Sequence, residues 1–152
     1  WLRGNNVTLG YFNDPEQTAA SYANGWFRTG DLAIWHPDGM IELRDRSKDI
    51  IISGGENISS IEVEQILVAH PDVIEAAVVA GSDPRWGEVP VAFVTRREGA
   101  ACTEEELIGW VRERLAHFKA PKRVVFSELP KTSTGKTEKY ALRQRLRETE
   151  TA

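Results

Sequence analysis

The sequence lacks most of the features that would mark a specialised class. It has one cysteine, Cys102, so no internal disulfide can form. No Cys/His cluster has zinc-ligand spacing, and the scattered His36, His70 and His117 each read as structural rather than catalytic. No apolar run approaches the roughly 20 residues that cross a bilayer. With no export signal and no C-terminal peroxisomal tripeptide, a reducing cytoplasm is the simplest expectation. Asn6-Val7-Thr8 and Asn57-Ile58-Ser59 read as glycosylation sequons, and in that setting they are expected to be chance. No helix-turn-helix, zinc or aromatic RNA-binding pattern accompanies the basic residues, which argues against nucleic acid as a partner. The sequence starts at Trp1 rather than Met, which suggests an excised fragment or a processed product.

What is present suits a small globular chain with a real core. At 152 residues there is room for one domain, or one small domain plus a piece of another. Net charge is −4, but residues 114–147 hold ten Lys/Arg against two acidic groups, so the basic end could favour an anionic ligand. The pattern predicts a short helix opened by Asp14-Pro15-Glu16, strands at 26–28 and 32–35, a turn at His36-Pro37-Asp38-Gly39 and a strand at 40–44. Residues 45–49 are charged without an apolar member and mark a domain junction. Beyond it come a strand at 50–52, a helix from Ser59 to about His70, a strand at 73–80, a loop at 82–87 and a strand at 90–95. A helix follows from Thr103 to Leu115, then a strand at 124–126 and a last helix from Glu138 to about Arg147. Ser59/Glu62 and Thr103/Glu106 are spaced as capping boxes. Leu107, Trp110, Val111 and Leu115 are expected to face inward from one helix, and Tyr140, Leu142 and Leu146 from the last. Strands and helices intermix, so the fold class is α+β, a small sheet flanked by helices.

Four short stretches carry chemistry. In Pro130-Lys131-Thr132-Ser133-Thr134-Gly135-Lys136, a lysine beside glycine, serine and threonine is suited to holding a charged oxygen. It is not a Walker loop: Pro130 stands where that loop needs glycine, and no strand leads directly into it. Asp31, after Thr29-Gly30, is a carboxylate that could accept hydrogen bonds from vicinal ribose hydroxyls. Ser53-Gly54-Gly55-Glu56-Asn57 reads as a tight strand-to-helix turn in which glycine allows positive φ and close backbone approach. Trp86, in Pro84-Arg85-Trp86-Gly87, could stack on a base, and Lys119 and Lys122 could meet a phosphate.

Taken in order, Trp26-Phe27-Arg28-Thr29-Gly30-Asp31, Asp45-Arg46-Ser47-Lys48-Asp49, the glycine stretch and the Lys136 loop resemble the core motifs of the adenylate-forming enzymes, the acyl-CoA synthetases in particular. The resemblance runs from about Leu9 to Arg145, and Ile51 through Ile58 is most similar to synthetases of medium-chain, fatty or aromatic acids. It implies that residues 1–45 are the terminal segment of a large adenylation domain, including a β-hairpin, and that 46–152 form a C-terminal mobile lid. It implies Lys136 as the catalytic residue, contacting the carboxylate and the α-phosphate. It further implies Asp31 and Arg46 as nucleotide-binding, Lys48 as the hinge, and Gly54, Gly55, Trp86, Phe118, Lys119 and Lys122 as CoA-binding. Some relatives carry arginine where this chain has Ala120. Glu56 is a fixed feature of the family, for which a structural hydrogen bond is the expectation and a catalytic base the alternative. ATP/AMP, CoA, a carboxylic acid and Mg²⁺ are the implied small molecules, and the chain's own N-terminal domain is the implied partner, with no protein metal ligands here. The family's phosphate loop, its aromatic-Gly-x-Thr-Glu motif and its acyl pocket are missing, so the chain alone is expected not to turn over ATP. Two alternatives stay open: a changed acceptor, as in an adenylation domain that loads a carrier protein or a luciferase-like oxidation, and a non-catalytic nucleotide-binding or docking module.

Overall fold

Residues 1–150 are described by a computed structural model, in which the chain divides into two units, Trp1–Lys48 and Asp49–Ala152. The division thus falls after Lys48 rather than after Asp45.

In the first unit, α1 (Pro15–Ser21) begins where Asp14 Oδ1 accepts the Gln17 amide at 2.9 Å, with proline at the first helical position. Strands β1 (Tyr22–Ala23) and β2 (Trp26–Phe27) pair through Asn24-Gly25, whose φ values of 51° and 78° suit a two-residue hairpin turn. β3 (Asp31–Trp35) and β4 (Ile41–Arg46) form a second antiparallel hairpin, and its register sets Asp31 directly opposite Arg46. The turn of 3₁₀ helix Ser47–Asp49 follows.

The second unit is built on a five-stranded sheet. Its strands are β5 (Ile51–Ser53), β6 (Glu56–Ile58), β7 (Val73–Asp83), β8 (Gly87–Arg96) and β9 (Arg123–Phe126), in the order β6-β5-β8-β7, with β9 running parallel to β8. Helices α2 (Ser60–Val68), α3 (Glu104–Arg112) and α4 (Lys139–Glu150) cover it. β7 and β8 are the long central hairpin, and their continuous apolar runs reflect burial on both faces. Val78, Ala92 and Val94 pack with Val63 and Leu67 of α2 and Leu107 and Val111 of α3. Their sequence neighbours Ala77, Val79, Val91 and Phe93 point the other way, to Leu142 and Leu146 of α4. This is the expected α+β architecture.

Several local expectations are corrected. The 82–87 loop is shorter, because β7 continues to Asp83 and β8 resumes at Gly87. Asp83 Oδ1 makes that tight turn possible by accepting the Arg85 and Trp86 amides, each at 2.9 Å. Gly54-Gly55 is not a strand-to-helix turn. It is the two-residue turn of the β5–β6 hairpin, with φ of 60° and 89°. α3 stops at Arg112 rather than Leu115. Tyr140 is 71% exposed while Leu142 is sealed. Two residues apart on a helix is roughly 200°, so both cannot face the sheet. Thr103 and Glu106 make the full reciprocal capping box. At α2, Ser59 Oγ accepts the Glu62 amide, but the Glu62 carboxylate is turned to Lys119.

Candidate functional site

The Lys136 loop is a small hairpin between β9 and α4. Lys131 and Thr137 are bridged across its base, Thr132 N–H donates to the Lys136 carbonyl at 2.8 Å, and Gly135 N–H donates to the Thr132 carbonyl at 2.9 Å. Gly135 sits at φ 80°, the left-handed position that closes such a turn with a one-residue bulge. Thr132 Oγ1 accepts the Lys136 amide at 3.1 Å and lies 2.9 Å from Thr134 Oγ1. The threonines of the motif therefore shape the turn. The hairpin carries two lysines with different fates. Lys131 Nζ is held by the Glu75 carboxylate on β7 and by Thr137 Oγ1 at 3.0 Å. Lys136 is exposed, and its ammonium has no hydrogen bond or ion pair among the described residues.

A cavity of about 530 Å³ opens beside the β5–β6 turn, lined by Ser53, Gly54, Glu56, Trp86, Arg112, His117, Phe118 and Lys122. Trp86 and Phe118 are each 41% exposed, large rings left open to a ligand. Gly54 N–H donates to the Trp86 carbonyl at 2.9 Å, and a Cβ on Gly54 would lie 2.7 Å from the Trp86 ring. Glycine is thus required at 54 by the indole as well as by its φ. Gly55 has open space around it, so only its backbone conformation demands glycine. The short helix His117–Lys119 presents Phe118 at the mouth. Lys122 and Arg112 are exposed and bring two positive charges to the lining, without an ion-pair partner among the described residues.

Lys119 does not line this cavity. Both carboxylate oxygens of Glu62 accept from its ammonium, at 2.7 and 2.9 Å. Glu56 does line it, and among the described residues its carboxylate takes no hydrogen bond, contrary to the expected structural role. Arg112 and His117 were not anticipated. Arg112 sits in the last turn of α3, where a cation complements the helix dipole and gives no further signal in sequence.

In the first unit Asp31 and Arg46 meet across the β3–β4 hairpin, Nε to Oδ1 at 3.5 Å. Thr29 Oγ1 accepts the Asp31 amide at 3.1 Å, and Arg46 N–H donates to Asp45 Oδ1 at 2.7 Å. Asp31 and Arg46 are both partly open to solvent and form one polar patch. Lys48 is exposed within the 3₁₀ turn at the division between the units.

One further donor cluster occurs among the described residues: His70, Asp72 and Cys102 bring ligand atoms within 4.8 Å of one another. His70 Nδ1 already accepts the Asp72 amide at 3.2 Å, and its ring stands edge-on to Trp110. Burial, and then the Asp72 carboxylate, push the Cys102 thiol up, while Arg96 opposes them. This set, of nitrogen and sulfur with one carboxylate, does not suit a hard cation such as Mg²⁺.

Residues 62–136 match the family described as the AMP-binding enzyme C-terminal domain. A 2-methylpropanoate–CoA ligase of Humulus lupulus is 57% identical over 150 residues, covering 96% of this chain and 27% of its own length. A trans-cinnamate:CoA ligase of Petunia hybrida, named as peroxisomal, is 52% identical over 144 residues, 94% of this chain and 25% of its own length. The chain therefore spans about a quarter of these relatives. The crystal structure of ATP-bound MatB from Rhodopseudomonas palustris superimposes with a TM-score of 0.86 at 36% identity, covering 94% of this chain and 29% of MatB.

Proposed function

We propose that this chain, whose residues 62–136 match the AMP-binding enzyme C-terminal domain family, is the C-terminal part of an AMP-forming acyl-CoA synthetase. The whole protein would convert a carboxylic acid, ATP and CoA to acyl-CoA, AMP and pyrophosphate through an acyl-adenylate. The observation that carries this is the hairpin in which Lys131 is consumed by Glu75 while Lys136 stands free. A positive charge displayed on a rigid turn, away from its own domain's interior, is built to meet charge supplied from elsewhere.

In the first step the acid attacks the α-phosphate, and negative charge grows on the phosphoryl oxygens as pyrophosphate leaves. The Lys136 ammonium offsets that charge inside a closed, dry cleft, where a fixed donor is worth most. Asp31 accepts from the ribose hydroxyls, and Arg46 beside it orients that carboxylate while facing ribose or phosphate. The second unit then turns about Lys48, and the cavity beside Gly54 receives CoA. The adenine stacks against Trp86 and Phe118, and the 3′-phosphate meets Lys122 and Arg112, which together supply the charge missing at Ala120. The absence of a side chain at Gly55 leaves the passage for pantetheine open, while Gly54 lets the Trp86 ring pack against the turn, so that the thiol attacks the adenylate carbonyl and AMP departs.

We assign the ligands of Mg²⁺, implied with ATP, to the large domain and derive no step from it. That domain is also the body that would cover the apolar side chains of Trp1–Lys48. The acyl substrate we assign is a medium-chain, fatty or aromatic monocarboxylic acid; the relative named for trans-cinnamate is in line with an aromatic acid, whereas the one named for 2-methylpropanoate is named for a shorter acid. Among the described residues no helix is long and apolar enough to cross a membrane. We assign a cytoplasmic location, with the peroxisome, the location in the Petunia ligase's name, as the alternative.

Pyrophosphate release tests the assignment. This chain alone should release none with any acid, and the complete protein should release it with acid and ATP before CoA is added. Clear turnover by the isolated chain, or no ATP cleavage by the complete protein with any acid of a broad panel, would contradict it.

A further inference from the structure

Resting on the role of Lys136 given above, we propose that Glu75 and Lys131 are positioning residues for the Lys136 ammonium, acting through the base of its hairpin. Lys131 and Thr137 face one another across that base. The Lys131 ammonium bonds Thr137 Oγ1 on the opposite leg at 3.0 Å and the Glu75 carboxylate on β7. One ammonium therefore ties both legs of the hairpin to a single carboxylate. Glu75 belongs to the central strand pair, opposite Thr95 of β8. Thr95 Oγ1 lies 3.5 Å from Glu75 Oε1 and donates to the Ser127 carbonyl at 2.9 Å, so the same network reaches the segment leading from β9 to the hairpin. Lys136 is the residue next to Thr137, so any tilt of the base is carried directly to its Cα.

The chemistry makes this placement matter. A hairpin of this length has few contacts of its own, and its backbone hydrogen bonds fix its shape but not its angle to the sheet. A misplacement of about 1 Å in a charged group acting on a transition state can cost on the order of 10²-fold in rate. Lys131 and Glu75 keep 37% and 34% of their side-chain surface, so the pair is half open to water and contributes little to stability. A contact that stabilises little yet sits one residue from the reacting cation is better placed to orient than to hold the fold together.

The test uses the complete protein with Lys131→Met, Glu75→Gln and the charge exchange Glu75→Lys/Lys131→Glu, with Lys136→Ala as reference. Three readouts are taken: pyrophosphate release with acid and ATP, thioester formation from supplied acyl-adenylate and CoA, and melting temperature. Positioning requires Lys131→Met and Glu75→Gln each to lower kcat for pyrophosphate release by about 10- to 100-fold. The KM for ATP and the thioester step should stay within about threefold, and melting should shift by no more than about 4 °C. The charge exchange should recover part of the rate. Were Lys131 itself to contact the nucleotide, Glu75→Gln would free it and leave or raise the rate, which overturns the proposal. Equal losses in both half-reactions, or losses that follow melting, overturn it as well by making the pair merely structural. If Lys136→Ala falls steeply while both single variants stay near wild type, only the positioning role fails. If Lys136→Ala itself is fully active, the assignment of Lys136 fails and takes this proposal with it.

Discussion

The two units carry their apolar side chains in opposite ways. Among the described residues, every buried apolar side chain lies beyond Asp49, and Ile51, Phe93, Leu107 and Leu142 are sealed to 2% exposure or less. In Trp1–Lys48, Leu9, Trp35 and Leu43 stand open at 99%, 78% and 69%, and the buried residues are the polar Ser21 and Asp45. Both stretches are rich in strand-forming residues, and both form regular hairpins. The difference lies in what covers them. β7 and β8 have a helix layer on each face, whereas a two-stranded ribbon such as β3–β4 has neither a third strand nor a helix to complete a core. Each large apolar side chain brought out of water is worth about 1.5–3 kcal/mol, so the first unit has much to gain from a covering body and the second has already gained it. The unit that carries Lys136 has a core of its own; the unit that carries Asp31 and Arg46 leaves its large apolar side chains open.

The sharpest way to break this contrast is to separate the units. A segment of residues 49–152 should unfold cooperatively on heating, followed by circular dichroism, and residues 1–48 should show no transition at all. Loss of the transition in 49–152 would mean that its core depends on the first unit.

A smaller effect separates the two lysines near the cavity. In the complete protein, Lys122→Ala and Arg112→Ala should each raise the KM for CoA by about tenfold, the loss of one charge-assisted contact to phosphate. Lys119→Ala should leave that KM nearly unchanged, because its ammonium already belongs to Glu62. Steady-state kinetics with varied CoA reads this out, and a large effect of Lys119→Ala alone would reverse the assignment.

The smallest expected effect concerns Cys102, whose thiol is pushed up chiefly by burial. Above the ordinary thiol value of about 8.5 the unfolded chain loses its proton while the folded one keeps it. The folded state then binds more protons, so stability falls as pH rises through that range and is unaffected below it. Urea titrations between neutral and alkaline pH should show this decline in the wild type and a flatter profile in Cys102→Ala. Identical slopes would remove the thiol as the cause.

What was legible in the sequence follows from the same physics. The apolar runs of β7 and β8, the Thr103–Glu106 capping box and the Gly135-Lys136 turn are local, and local rules read them. β6 was hidden because Glu56-Asn57-Ile58 has one apolar residue and only its pairing with β5 makes it a strand. The pairing of Lys119 was not legible because its partner, Glu62, lies 57 residues away in sequence. Arg112 joins the cavity only because α3 ends beside the Trp86 turn and the β5–β6 hairpin, a tertiary fact. The requirement for glycine at 54 was anticipated, but its neighbour was not: the indole of Trp86 fills the space a Cβ would take.

On the proposed function, one unit delivers a single cation to a nucleotide gripped by another body, and this cation serves only the first half-reaction. Measuring the two half-reactions separately in the complete protein with Lys136→Ala tests it most directly. Adenylate formation should fall by about 10²–10³, while conversion of supplied acyl-adenylate and CoA to the thioester should proceed at close to the wild-type rate. Equal loss in both steps, or no loss in the first, would contradict it.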